Sequence, residues 1–138
     1  MARVVKPGGL VAAYMWDMLG GGFPFHPMQQ ALRAMGHVPP LPPSVGVSRM
    51  DALRDAWIDG GLRDVETRRI EARRTYPSFD ALWDTTSRTG SITSAVAQMS
   101  EVQVTALKDR LREALPAAPD GSITYGAVAN AVKGVVPA

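Results

Sequence analysis

The sequence predicts an α/β fold, because two apolar segments lie near its ends with a charged strand and amphipathic helices between them. Leu10–Trp16 is apolar at every position, and residues 123–132 carry apolar or small side chains on both faces. Such segments are typical of strands covered on both sides, as in the middle of an α/β sheet. Residues 65–76 alternate poorly and are rich in Arg and Glu, which is typical of a sheet edge.

The first strand lies between a turn and a loop. In Lys6-Pro7-Gly8-Gly9, proline sets φ for the first central position, and Gly8 supplies the positive φ that a type II turn requires at the second. After the strand, residues 17–25 include Gly20-Gly21-Gly22 and no regular periodicity. We expect a loop at the C-terminal end of the strand.

Apolar spacing and cap residues predict the helices. Pro27 opens a short helix that Gly36 closes, and an extended connector follows at residues 39–43. Ser48 is placed to cap a second helix, which Gly60-Gly61 ends. Further helices are expected after Pro77-Ser78, at about residues 93–98, and after Ser100. The last of these has Gln103 placed for a capping box and an apolar stripe at Val104, Leu107, Leu111 and Leu115.

Composition excludes several classes of protein. The chain has 138 residues, of which 46% are hydrophobic and 20% charged, and its net charge is +2. These values fit a globular domain. Arginines are interleaved with acids, so we expect no nucleic-acid partner. The chain has no cysteine and only two histidines, so we expect no metal. Its first residues do not have the pattern of a signal peptide, and it has no apolar run of about 20 residues that would span a bilayer, so we expect a cytoplasmic protein without a membrane partner.

Residues 1–12, with the sequence MARVVKPGGLVA, resemble a segment of class I S-adenosylmethionine (SAM)-dependent methyltransferases. In that family an "RVLKPGG" segment leads into the fifth strand. The subgroup that they resemble is the small-molecule methyltransferases of the ubiquinone/menaquinone-biosynthesis type. Later segments match in the expected order, namely residues 48–62 (a helix with an "AGF"-like end), 65–76 (strand six), 77–83 (a cap helix) and 123–133 (strand seven).

The resemblance implies a partial Rossmann-like methyltransferase fold without strands one to four. It would be a three-stranded mixed sheet in the order five, seven, six, with helical cap insertions. The implied segments are a strand-five region (1–17), a cap insertion (18–47), a helix and edge strand (48–76), a second cap insertion (77–119) and a last strand (120–138). Met1 resembles a methionine that is internal in relatives.

The resemblance also bears on SAM and on activity. In the intact family SAM lies on a Gly-x-Gly-x-Gly turn after strand one, as in other βαβ nucleotide sites. This sequence has no such motif, and Gly20-Gly21-Gly22 lacks the spacing. We therefore expect the chain alone to bind no SAM, and whether it is an enzyme stays open. The alternative is a non-enzymatic module, derived from a methyltransferase, that binds a small molecule or a protein.

The resemblance also implies, by position in the chain, which residues would bind the methyl acceptor. Trp16, Phe23 and Phe25 follow strand five, and Trp83 and Arg88 belong to the second insertion; these five would bind the small-molecule acceptor. His26 and Asp17 are the weak candidates for a general base. The alternative roles are structural: a strand-end aromatic for Trp16, cap packing for Phe23 and Phe25, and a helix cap or loop position for His26. Without strand four, the apolar edge of strand five would pair with a second copy or with a separate N-terminal half.

Overall fold

A computed structural model describes residues 2–138, except for the side chain of Ser91. The interpretation of Met1 as an internal methionine lies outside these residues. The protein is an α/β structure, as predicted. Its strands are β1 (Leu10–Trp16), β2 (Arg63–Tyr76) and β3 (Ile123–Val135), and its helices are α1 (His26–Ala34), α2 (Met50–Asp59), α3 (Phe79–Ser87), α4 (Gly90–Ala97) and α5 (Glu101–Ala114).

The three strands form one open sheet in the order β1-β3-β2. β1 and β3 are antiparallel, with Leu10 opposite Val135 and Trp16 opposite Ala129. β3 is also antiparallel to β2. The predicted strand order is therefore confirmed. The prediction of a mixed sheet is wrong, because both pairs of neighbouring strands are antiparallel. β3 is antiparallel to both of its neighbours, and it lies between β1 and β2, which run in the same direction.

β1 is covered on one face only. Val11 is 4% exposed, whereas Leu10 and Tyr14 on the other face are 60% and 68% exposed. The prediction that this strand is buried on both sides is wrong. Local apolarity predicted the strand and its bounds correctly, but it does not determine how many layers pack against a strand.

The chain divides into two compact units. The first contains the residues up to Pro24, Pro42–Ala72 and Ala127–Ala138. In this unit α2 and the residues after it pack on the covered face of the sheet. A Cβ atom at Gly134 would lie 3.0 Å from Leu62 Cβ and 3.1 Å from Trp57 Cδ1. Glycine therefore allows the close approach of this segment to β3.

The second unit contains Phe25–Leu41 and Arg73–Gly126. Its core is apolar and draws on α1, α3, α4, α5 and two strand ends. The buried members are Met28, Ala31, Leu32, Tyr76, Leu82, Ile92, Leu107, Leu111 and Ile123. The predicted capping box at the start of α5 is confirmed, with Ser100 Oγ accepting from the Gln103 N–H and Gln103 Oε1 accepting from the Ser100 N–H.

Predicted turns and helix ends are mostly confirmed. Gly9 N–H donates to Lys6 O at 2.9 Å, and Gly8 has φ of +75°. Gly61, with φ of +77°, ends α2 as predicted. α4, however, begins at Gly90, before the predicted start.

The predicted cap of α2 is wrong. Arg49, in extended conformation, is the N-cap residue, and Ser48 ends a short 3-10 helix (Val45–Ser48). Ser48 is fully buried, and its hydroxyl has no hydrogen-bond partner among residues 2–138. Within those residues, no helix is long and apolar enough to cross a membrane.

Candidate functional site

A cavity of about 610 Å³ lies in the first unit, beyond the C-terminal end of β1. Loop residues after β1, the start of α2, β2 and β3 all contribute to its wall. The lining residues are Asp17, Leu19, Gly20, Arg49, Met50, Asp51, Arg69 and Asn130. The cavity thus combines apolar surface with charged and amide side chains, and in small-molecule sites such polar groups fix the orientation of the ligand.

Asp17 holds the loop that forms one wall. Its backbone N–H donates to Val128 O at 2.8 Å, and its carbonyl accepts from Gly22 N–H at 2.7 Å. One carboxylate oxygen, Oδ1, accepts from Gly20 N–H at 2.9 Å. The other oxygen has no hydrogen-bond partner within residues 2–138. Asp17 therefore has a structural role and still presents an acceptor to the cavity.

The conformation of this loop explains the run Gly20-Gly21-Gly22. A Cβ atom at Gly20 would collide with the Asp17 carboxylate, and one at Gly22 would lie 2.5 Å from Val128 O. Gly21 has φ of +79°, which favours glycine. The packing of this loop against Asp17 and β3 therefore requires glycine at these positions.

Asn130 contributes a fixed amide. Its side chain is nearly buried, at 3% exposure, and Nδ2 donates to the backbone carbonyl of Ser48 at 2.7 Å. In the described chain, Oδ1 accepts no hydrogen bond, although Asn130 lines the cavity. This oxygen is therefore available to accept a hydrogen bond from a ligand in the cavity.

Charges around the cavity are balanced. Arg49 Nε lies 3.8 Å from Asp51 Oδ1, and Arg69 Nε lies 3.4 Å from Glu71 Oε1. All four side chains are more than half exposed, so these ion pairs are weak and solvent-screened. The arginines are therefore exposed donors, whereas Asp17 and Asn130 are acceptors held by hydrogen bonds.

Three of the predicted site residues lie in the first unit. Asp17 lines the cavity, while Trp16 and Phe23 are half-buried and are not among its lining residues. Trp16 is the last residue of β1, opposite Ala129. Of these three, only Asp17 belongs to a geometrically defined site.

The other four predicted residues lie in the second unit. Phe25 is the N-cap residue of α1, and both Phe25 and Trp83 pack against the core. The ring of Trp83 also contacts Lys108, whose Nζ lies 4.8 Å from the ring centroid. Arg88 is exposed at the C-terminal end of α3. None of these residues lines the cavity.

His26 is the first residue of α1. Partial burial lowers the pKa of its imidazole below the ordinary value of 6.5, and the nearby positive charge of Arg33 lowers it further. Both effects disfavour the imidazolium form. They favour the neutral imidazole, which is the form that accepts a proton.

Of the eight lining residues, sequence reasoning identified Asp17 alone as a site residue; the polar side chains that it missed are Arg49, Asp51, Arg69 and Asn130. Asn130 carried a usable signal, because it is the amide side chain within an otherwise apolar stretch of the last strand. Arg69 was indistinguishable from its charged neighbours on β2. Within residues 2–138, no group of three or more His, Asp or Glu side chains is placed to hold a metal ion.

Comparisons with known proteins do not assign the chain to a class. No family model matches the sequence, and no curated protein matches it significantly.

Proposed function

We propose that this chain is the acceptor-side, C-terminal portion of a SAM-dependent methyltransferase that acts on a small molecule. The strand order is the observation that carries the proposal. β3 lies between β1 and β2 and runs against β1, as the resemblance to strands five, seven and six requires. The KPGG turn leads directly into β1, which supports the same conclusion.

The cavity at Asp17 is the acceptor site in this proposal. Asp17 and Asn130 offer fixed hydrogen-bond acceptors, so they would bind a hydroxyl or amino group. The Asp17 carboxylate would then orient that group or remove its proton. Balanced charge around Arg49 and Arg69 favours a neutral or zwitterionic molecule over a polyanion.

The proposal places SAM outside these residues. Gly20 and Gly22 pack against Asp17 and Val128, and the sequence has no Gly-x-Gly-x-Gly motif. The chain alone would therefore neither bind SAM nor transfer a methyl group. Strands one to four from another polypeptide segment would supply that site next to β1. We place this activity in the cytoplasm, in keeping with a chain that has no cysteine.

The test is a chimera in which strands one to four of a class I methyltransferase precede residue 2 of this chain. We expect the chimera to transfer tritium-labelled methyl groups from SAM to at least one member of a panel of small hydroxylated and amino compounds. Asp17→Asn should lower that rate by roughly 10²-fold, the lower end for loss of a general base. Asp59→Asn, at an exposed position at the end of α2, is the matched control. A folded chimera that binds SAM but methylates no member of the panel would contradict the proposal.

A second candidate is a non-enzymatic module that binds a small molecule. The observation in its favour is that the cavity is lined entirely by residues of one compact unit and needs no SAM half. The isolated chain would then bind hydroxylated or amino compounds, with amide-proton shifts confined to the cavity residues. Binding by the isolated chain, together with an inactive chimera, would favour this candidate over the methyltransferase portion.

A further inference from the structure

β1 is an edge strand whose outer backbone groups are unpaired. Asp17 N–H donates to Val128 O, and Val136 N–H donates to Gly9 O. Antiparallel pairing alternates along a strand, so odd-numbered residues of β1 point toward β3. The N–H and C=O groups of the even-numbered residues therefore point outward, and none of them bonds to another backbone segment in the described chain. These residues are Leu10, Ala12, Tyr14 and Trp16.

β1 also lacks the features that protect sheet edges. Its seven residues include no charged side chain and no proline. β2, at the other edge, is exposed almost throughout and carries many Arg and Glu side chains. Charged side chains on an edge strand hinder its pairing with another strand. Nothing comparable opposes pairing of β1 with an identical strand.

We propose that a second copy of this chain pairs with β1 across a two-fold axis at Ala13. In the register that pairs all seven residues, Ala13 lies opposite the partner's Ala13, and Ala12 lies opposite the partner's Tyr14. The small side chain of each Ala12 leaves space for the large Tyr14 ring beside it. The two open sheets join into one six-stranded antiparallel sheet, through an interface that is the same on both copies.

The exposed face of β1 supports this occupant. Leu10 and Tyr14 are 60% and 68% exposed, and pairing brings both against apolar side chains of the partner. Lys133, which lies opposite Ala12, has its charge offset by Glu66, with 3.0 Å between Nζ and Oε2.

The size of the contact predicts a reversible dimer. A seven-residue strand is about 23 Å long. An edge of that length with two large apolar side chains per copy falls below the roughly 1,200 Å² that specific, stable interfaces bury. The dimer is therefore expected to dissociate on dilution. The proposed function places strands one to four at this same edge of β1, so the dimer is a property of the chain without them; it does not depend on the cavity at Asp17.

The absence of cysteine allows a direct test. Ala13→Cys introduces a single thiol per chain at the two-fold axis. Residues directly opposite at such a position have Cα atoms about 4.5 Å apart, within the range that a disulfide spans. We expect Ala13→Cys to form a covalent dimer under mild oxidation, while Thr67→Cys, on the exposed β2 edge, stays largely monomeric.

Light scattering on the unmodified chain is the second measurement. The mass should rise with concentration from 14.8 kDa toward twice that value, and Ala12→Lys should keep the protein monomeric with unchanged circular dichroism. A mass that stays at 14.8 kDa at every concentration would overturn the proposal. The β1 edge would then be available to a different polypeptide. Cross-linking of Ala13→Cys no faster than that of Thr67→Cys would also overturn the proposal.

Discussion

The side-chain amide of Asn130 donates a hydrogen bond to the backbone carbonyl of Ser48, with 2.7 Å between Nδ2 and the oxygen. This bond joins β3 to the turn that precedes α2, across a separation of 82 residues. It satisfies a buried carbonyl and fixes the orientation of the Asn130 amide. The oxygen of that amide is thereby available to the cavity.

Replacing Asn130 by Leu should lower the free energy of unfolding by about 1–3 kcal/mol, because the Ser48 carbonyl loses its donor while remaining buried. Urea denaturation measures this difference. Gln30→Leu, at an exposed position on α1, is the control and should change stability by less than about 0.5 kcal/mol. An Asn130→Leu variant as stable as the control would show that the bond contributes little.

Ser48→Ala, unlike Asn130→Leu, should not destabilise the protein. The hydroxyl is buried without a partner among the described residues, so its removal relieves a desolvation penalty of the order of 1 kcal/mol. We expect the midpoint of thermal unfolding to stay constant or to rise. A marked fall in the midpoint would mean that the hydroxyl has a hydrogen-bond partner in solution.

Two glycines should differ sharply when replaced by alanine. At Gly22 the added Cβ would lie 2.5 Å from Val128 O and 2.8 Å from Val128 Cβ. Backbone must move, so we expect a loss of roughly 2 kcal/mol or more. Gly46→Ala is the matched control, because its Cβ would meet nothing within 4 Å. Equal unfolding midpoints in urea for the two variants would contradict the described loop.

Stability should depend on pH through His26. Its pKa is lowered in the folded protein, so below about pH 6.5 the unfolded chain binds a proton on this residue more readily than the folded chain. The free energy of unfolding should therefore fall as the pH drops from about 6.5 until it passes the folded-state pKa. Urea titrations at several pH values measure the effect.

Two histidine variants separate His26 from the rest of the chain. His26→Gln should flatten this part of the pH profile, whereas His37→Gln should retain it. A profile that is unchanged by His26→Gln would assign the pH dependence to other groups.

Local features were predictable from the sequence. The turn at Gly8, the bounds of β1, the end of α2 at Gly61 and the capping box at Ser100 each depend on a few adjacent residues. Their physical causes are backbone conformation and hydrogen bonds to nearby N–H groups. The residues that determine each of these features lie close together in the sequence.

Features that depend on distant residues were not predictable in the same way. Exposure of Tyr14 depends on which other segments cover the sheet, and apolar composition alone suggested cover on both faces. Arg49, and not the predicted Ser48, is the N-cap residue of α2. Ser48 is buried by tertiary packing, which its local sequence does not indicate. The cavity joins Asp17, Arg69 and Asn130, which the chain brings together only after β2 and β3 pair.

Calorimetric titration of SAM into the isolated chain, and into the chimera that adds strands one to four, tests whether the SAM site lies outside this chain. We expect no saturable heat for the chain alone and one-to-one binding by the chimera. Micromolar binding of SAM by the isolated chain would contradict the proposed function, because its residues would then contain a SAM site of their own.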